Sequence, residues 1–590
     1  MPQQNVIKAA VSSLLHYLSP GEKRLAILMF LLQIIASLLD VFGLASLVPV
    51  VMLASEPGSV QKSKWASWLY TSLDFQSEKS FLVFAILTIF GFFLIKNLFT
   101  SWISYRQVRF TAAVALKIVD LQFEKYTSLP FWKFQEVGTA RVVNEALGIP
   151  SAYLNGIIRQ LFVLLSEVVI VFIVVVGILL YQPALFVILV ITLVPTTGLT
   201  YRLLKNRSQV LGKQLDENRP KAYSMVMDTF SGFVELKLAN KLTRFRGRIY
   251  ENQRFIQSLE AKSYLYNLLP LRVIEMVAIL AIVTIFLYSL LFTGNTASLV
   301  TIVGLFAAAA YRLMPSVNRI LSAMVTMKQN TYTMESLRAF SEAEWQTHRV
   351  PQRAVVPFDH SVEFSHVSFA FPGTDRAVLR DVSFMVKKGE KIGFIGSSGS
   401  GKTTLMNLLL RFYSQQSGEI KVDGTPLTTE YTEAWHRLVG YVKQDTFLLD
   451  GSLRDNIALG EDHPDEQRLA YALEQASLAE FVRGLPNGLD TVAGERGAKL
   501  SGGQRQRIGI ARAMYKKTQV LVMDEATSAL DNETEREVSE AINKLADTDI
   551  TILIIAHRIT TLRQCDRIYE LKNGRIAAVH TYDELVAKHV

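Results

Sequence analysis

Apolar positions fall along this chain in two rhythms, and the change from one to the other divides it. Up to about residue 313 they form long runs, at residues 25–54, 81–102, 161–181, 183–200, 273–292 and 299–313. Each is read as a helix crossing a bilayer core, at a rise of about 1.5 Å per residue. Ahead of them Ile7, Val11, Leu14, Leu15 and Leu18 recur at helical spacing. That predicts an amphipathic helix over residues 6–18, lying on the membrane surface or packed into a core. Between the first two runs Trp65, Trp68, Leu69 and Leu73 share one helical face, as in a short helix at the outer interface or an ordinary packed loop. From about residue 340 to 356 the pattern turns polar and contains proline. Past it short strand-like runs, among them VEFSHVSFAF, KIGFIG, LVGYV, VLVMDEA and ITILIIAH, alternate with helical patterns, which is the order of an α/β domain. The chain therefore divides into an interfacial helix (1–20), an α-helical membrane domain of six transmembrane helices (21–335), a linker (336–357) and an α/β domain (358–590).

Charge orients these elements. The long connections, residues 105–160 and 201–267, are rich in Lys and Arg, whereas the links at Gln182 and at 293–298 carry no charge. The positive-inside bias puts the long connections in the cytoplasm, and an even number of spans puts both termini there as well. A length of 590 residues calls for more than one core, and a composition 50% hydrophobic and 19% charged points to a membrane protein. The net charge of +9 belongs to the same bias. Lys and Arg are spread through the loops and are not gathered into a stripe interleaved with aromatics, which argues against a nucleic-acid partner. Cys565 is the only cysteine, so an intrachain disulfide and a Cys-built metal site are both excluded. The N-terminus lacks the charged, apolar and small-residue order of a cleavable signal, and the first span is expected to direct insertion.

Candidate chemistry enters at residues 396–403, GSSGSGKT, between the apolar run KIGFIG and the helical run TLMNLLLRF. The spacing and its strand-before, helix-after setting are those of a phosphate-binding loop, not of a simple Gly/Ser turn. Gly396, Ser397, Ser398, Gly399, Ser400 and Gly401 are small enough for backbone N–H groups to curl round phosphates. Lys402 brings charge to the β- and γ-phosphates, the Thr403 hydroxyl can ligate Mg²⁺, and Thr404 completes the ATP contacts.

Residues 500–504, LSGGQ, resemble the signature of ATP-binding cassette proteins, and residues 358–580 resemble one such cassette with its motifs in family order. The resemblance implies an ATP hydrolase in which Ser501, Gly502, Gly503 and Gln504 complete the site of a second cassette, so that a chain carries half of each of two sites. It implies that Asp524 holds Mg²⁺ through water and that Glu525 polarises the attacking water. It further implies that His557 senses the γ-phosphate, that Gln444 reaches Mg²⁺ and relays its presence to the membrane domain, and that Asp531 links the two sites. Phe371 stands where most cassettes stack a tyrosine on adenine, and stacking does not need the hydroxyl. The stretch TVAGERG, residues 491–497, resembles one that exporters carry just before the signature.

Spanning helices followed by one cassette resemble an exporter half-transporter, which works as a dimer. Because every catalytic position is intact, the partner is expected to be a second copy of this chain. Residues 129–143 and 230–237 look like the coupling segments of such proteins.

Charges inside spans are costly and by default mark function. Lys96 lies in the second run, Arg272 opens the fifth, and Arg312 and Arg319 share a helical face on either side of Pro315, a kink position. They predict a basic cavity for an anionic headgroup such as a pyrophosphate. The plainer reading is that Arg272 pairs with Glu275 and that Lys96 snorkels to an interface. AAYRLMPSVNRI (309–320) and PLRVIE (270–275) resemble the corresponding helices of bacterial lipid-linked oligosaccharide flippases of the PglK type. That implies ATP-driven flipping of a polyprenyl-pyrophosphate-linked oligosaccharide across the bacterial inner membrane. A lipid A-core flippase is the nearest alternative, a multidrug exporter the next, and a non-transporting ATPase clamp stands in another class.

Overall fold

In lipid a backbone can satisfy its polar groups only within itself, so long apolar runs fold as helices. Among its described residues the computed structural model has six long ones: Pro20–Ser55, Glu78–Thr127, Arg159–Tyr181, Pro183–Ser231, Leu242–Phe292 and Thr296–Gln329. It describes residues 6–55, 59–181, 183–292, 296–338, 355–524, 532–546, 548–556 and 558–589. Among the described residues the first, second, third and fifth of these helices are long and apolar enough to cross a membrane. The fourth and sixth take in the runs expected for the remaining spans. The second, fourth and fifth are 50, 49 and 51 residues long. At about 1.5 Å per residue each exceeds twice the bilayer core of about 30 Å, so the charged connections are continuations of the spanning helices.

Contacts divide the chain into two units, Met1–Ser128 with Phe134–Glu344, and Leu129–Lys133 with Trp345–Val590. In the first unit the N-terminal amphipathic pattern is a helix over Val6–Tyr17. Its apolar face is taken up by protein: Ala10 and Leu14 are buried in one cluster with Tyr153 and Ile157, and the Tyr153 hydroxyl donates to Ser13 at 3.0 Å. The Trp-bearing pattern is the helix Lys64–Ser72, with Trp65 and Trp68 exposed and Leu69 packed against Leu53 and Phe81. Two wide π-helical turns, Asn144–Gly148 and Leu154–Ile158, precede the third long helix. The first buries Glu145, which accepts from Arg141 at 2.7 Å and from the Tyr126 hydroxyl.

Close approach in this unit depends on two glycines. A Cβ at Gly212 would stand 1.8 Å from the Gln329 carbonyl oxygen, and one at Gly156 would stand 2.3 Å from Asn330 Cγ. Both therefore let neighbouring helices close on the end of the sixth. Gly212→Ala is expected to cost about 1–3 kcal/mol, because a backbone carbonyl cannot rotate aside as a side chain can. Gly198→Ala, where a Cβ meets nothing within 4 Å, is the control. Thermal unfolding in detergent should show a lowered midpoint for the first variant alone.

The second unit is built on two sheets. One is antiparallel, in the order β2-β1-β4-β5, from β1 (Ser361–Ala370), β2 (Ala377–Lys387), β4 (Ser417–Val422) and β5 (Thr425–Pro426). The other runs β10-β9-β3-β8-β7-β6, from β3 (Lys391–Ile395), β6 (Val439–Val442), β7 (Val520–Asp524), β8 (Thr551–Ile555), β9 (Arg567–Lys572) and β10 (Arg575–His580). All but β10 are parallel, and β8 is buried at every position, which is why ITILII reads as an unbroken apolar run. Cys565 packs beneath this sheet. Burial and the neighbouring Asp566 push its thiol up to about 12, which leaves it a packing residue. Phe131, within Leu129–Lys133, stacks on Phe412 at 4.7 Å between ring centroids and meets Tyr413 edge-on at 6.1 Å.

Candidate functional site

The predicted phosphate loop joins the end of β3 to the helix Lys402–Leu409. Gly396, Gly399 and Gly401 have φ of 145°, 78° and 107°, a backbone that side chains resist. At Gly396 a Cβ would also fall 2.3 Å from the Leu571 carbonyl oxygen. The loop curls over Lys402, whose ammonium donates to the carbonyls of Gly396 at 2.8 Å and Ser397 at 3.2 Å. Lys402 is only 5% exposed. The buried Ser400 hydroxyl has no hydrogen-bond partner among the described residues, so the loop retains a donor for an oxyanion. Thr403 is exposed while Thr404 is buried, which separates the hydroxyl that faces the site from the one that packs beneath it.

The neighbouring strands bring in the other groups. Asp524 ends β7 and receives the Tyr441 hydroxyl at 3.4 Å. Burial, and then the Asp524 charge, push the Tyr441 phenol above its ordinary value, so it stays a donor. Gln444 is exposed just past β6. Phe371 is half-exposed, with Phe369 and Tyr413 edge-on to its ring at 5.3 and 5.4 Å, so the ring is held firmly enough to serve as a platform for a base. Glu525, Asp531 and His557 lie outside the described residues.

The signature begins the helix Gly502–Tyr515. Ser501 and Gln504 form a capping box: the Ser501 hydroxyl accepts from the Gln504 N–H at 3.2 Å, and the Gln504 side chain accepts from the Ser501 N–H at 2.8 Å. Gln504 thus shapes the helix start, and the amides of Gly502 and Gly503 lie at its positive end.

Sequence reasoning passed over Gln506, which is 4% exposed. Its amide donates to the Lys443 carbonyl at 2.9 Å and to the Gln444 carbonyl, and its oxygen accepts from Thr446 at 3.3 Å. The signature helix therefore holds the segment that presents Gln444. Gln506→Ala is expected to lower kcat for ATP about 10-fold with little change in KM, because it frees a positioning segment and leaves the phosphate loop intact. Steady-state hydrolysis against ATP concentration separates the two constants.

In the membrane half three of the four predicted cations face carboxylates. Lys96 meets Asp40 at 2.6 Å, Arg272 meets Glu275 at 3.0 Å, and Arg319 meets Glu167 at 2.5 and 3.2 Å. The side chain of Arg312 lies outside the description. Asp40 and Glu167 were not among the candidate residues. They sit on other helices, beyond the reach of local spacing. An apolar cavity of about 260 Å³ separates the third, fourth and sixth long helices, lined by Val171, Val175, Leu193, Val194, Leu313 and Val317 among others.

A family model described as ABC transporter matches residues 379–528. Over 518 residues, 85% of this chain and 84% of the other, the sequence is 32% identical to an ATP-dependent lipid A-core flippase of Alkalilimnicola ehrlichii. It is 46% identical over 227 residues, 38% of each chain, to a beta-(1→2)glucan export ATP-binding/permease protein of Agrobacterium vitis. The fold aligns with that of a bacterial Atm1-family ABC exporter with ATP bound, at a TM-score of 0.75 and 24% identity, over 97% of this chain and 96% of that one. A helical membrane domain thus precedes a P-loop ATPase domain whose hydrolysis is coupled to transport. The chain belongs to the ABC transporter family, as a multi-pass half-transporter with permease and ATPase in one polypeptide, related to lipid A-core flippases.

Proposed function

We propose that two copies of this chain form an ATP-driven flippase that moves an anionic lipid of the lipid A-core type out of the cytoplasmic leaflet of the bacterial inner membrane. The observation that carries this reading is the extent of the similarity. An alignment of 518 residues cannot fit within the cassette and takes in most of the membrane half, where cargo is met. The match to the glucan exporter, over 227 residues, is no longer than a cassette. The apolar cavity among the third, fourth and sixth helices suits a hydrocarbon chain.

In this reading the phosphate loop of one copy and Ser501, Gly502 and Gly503 of the other enclose ATP, with adenine on Phe371. Thr403, Asp524 and Gln444 offer hydroxyl, carboxylate and amide oxygens, the hard donors that Mg²⁺ takes. The ion neutralises charge on the phosphates. Glu525 polarises water, His557 senses the γ-phosphate, and Asp531 connects the sites. Closure of the cassettes switches the membrane helices outward, and hydrolysis resets them.

A polyprenyl-pyrophosphate-linked oligosaccharide is the second reading, supported by the exposed Trp65 and Trp68 of the short Lys64–Ser72 helix. The purified protein in nanodiscs distinguishes the two. Lipid A-core is expected to stimulate ATP hydrolysis several-fold, and hydrophobic cationic drugs are not. Stimulation by the polyprenyl-linked oligosaccharide alone would transfer the assignment to that lipid.

A further inference from the structure

Charge and hydrogen-bonding capacity also gather in the ATPase unit at a place that the ATP chemistry does not use. A cavity of about 360 Å³ lies between the helix Asn532–Ala546, the turn Ile559–Leu562 and the start of the helix Tyr582–His589. Arg536, Ser539, Ile542, Asn543, Arg563 and Tyr582 contribute to its walls. Among its described lining residues there is no carboxylate, no phosphate-loop residue and no signature residue. Its volume falls in the range of about 300–1,000 Å³ that small-molecule sites occupy. The side chains of Ser539, Asn543, Arg563 and Tyr582 have no hydrogen-bond or ion-pair partner among the described residues. Arg536 meets Glu540 at 3.2 Å, one turn along an exposed helix face, a pairing that water screens.

Two guanidinium groups with no carboxylate between them call for an anion, and the fork of a guanidinium matches the oxygens of a phosphate. A bare phosphate would leave most of the cavity unfilled. The Asn543 amide and the Ser539 and Tyr582 hydroxyls match further hydroxyl groups, and the buried Ile542 offers an apolar surface to carbon. A small phosphate monoester with a hydroxylated body answers all of these groups at once. Position gives its binding a consequence. The helix Asn532–Ala546 begins one residue after Asp531, and the turn Ile559–Leu562 begins two residues after His557. A ligand that joins Arg536 to Arg563 therefore ties together the segments that follow those two residues.

We propose that this cavity is an allosteric site for a small phosphate monoester, and that the bound ester slows hydrolysis at the ATP site. The site rests on its own residues; its effect on hydrolysis rests on the roles proposed above for Asp531 and His557. Segments that are tied together cannot move independently as the cassettes close and reset. Occupancy therefore lowers kcat and leaves KM for ATP nearly unchanged.

The test uses the full chain in nanodiscs, with ribose 5-phosphate and inorganic phosphate titrated by calorimetry. Ribose 5-phosphate is expected to bind wild type, more weakly as salt is raised, and inorganic phosphate to bind about 10-fold less well or worse. Binding of the ester should survive Lys402→Ala, which separates this cavity from the phosphate loop. Arg536→Gln with Arg563→Gln should weaken it about 10-fold or more, while Arg536→Lys with Arg563→Lys, which keeps the charge, should cost no more than about 3-fold. Both positions are exposed, and basal hydrolysis should be unchanged in each pair of substitutions. Saturating ribose 5-phosphate is expected to lower wild-type kcat about 2-fold or more and to leave the double-glutamine variant unaffected. The proposal is overturned by no binding in wild type, by equal affinity in wild type and the double-glutamine variant, by inorganic phosphate binding as tightly as the ester, or by binding without an effect on hydrolysis. Stimulation of hydrolysis by lipid A-core, measured on the same samples, reports on the flippase reading separately, so that either can fail alone.

Discussion

Lys402→Ala is expected to lower kcat/KM for ATP by about 10³-fold or more, roughly 4 kcal/mol of transition-state stabilisation. The ammonium is nearly enclosed and is held by the Gly396 and Ser397 carbonyls. Without it those two carbonyls lose the cation between them and the phosphates, and the loop that curls over it loses its centre. Lys402→Arg should not restore activity. The pocket is shaped for a compact charge, since one ammonium donates to both the Gly396 and Ser397 carbonyls, at 2.8 and 3.2 Å, and a planar guanidinium with a fixed fork of donors does not reproduce that geometry. Phosphate release and the binding of a fluorescent ATP analogue report on the two steps. Retention of a tenth of wild-type turnover by Lys402→Ala would remove this loop from the chemistry.

How much was legible in the sequence depended on how far apart the determinants lie. The phosphate loop is local: eight consecutive residues carry it, and the structure gives its glycines, Gly396, Gly399 and Gly401, the positive φ values that glycine allows. The long apolar runs are local too, because a helix in lipid closes its own hydrogen bonds. Arg272 and Glu275 could be paired on paper because they stand one turn apart. Asp40 and Glu167 could not be assigned to Lys96 and Arg319, since only the packing of different helices joins them. The same limit hid the contact of Gln506 with the segment after β6. Gly212 gave no signal of its own, because its role is set by a carbonyl on another helix. The capping box at Ser501 and Gln504 lay within reach, as a Ser with Gln three residues on, but was read only as a signature.

Within one chain the signature helix and the phosphate-loop helix belong to different hydrophobic clusters. Ile508, Ile510 and Met514 pack in one; Leu405, Met406 and Leu409 pack in the other. If sites form between copies, the outcome of mixing two defects depends on which chain carries them. Pair a Lys402→Ala chain with a Ser501→Arg chain, each purified through its own tag. One site then receives both defects, and the other joins an intact loop to an intact signature. This dimer should trap about one nucleotide with vanadate and keep on the order of a quarter to a half of wild-type hydrolysis. Put both substitutions in one chain and pair it with wild type, and each site carries one defect. Hydrolysis should then fall to background, about 10²-fold or more below wild type, since loss of the lysine or of the signature each removes phosphate stabilisation. Ser501→Arg also gives up a helix cap, typically about 1 kcal/mol, so thermal unfolding of the variant alone must show a folded chain. The reverse pattern, an active dimer from the doubly substituted chain and an inactive one from the separated defects, would mean that each chain closes its own loop on its own signature.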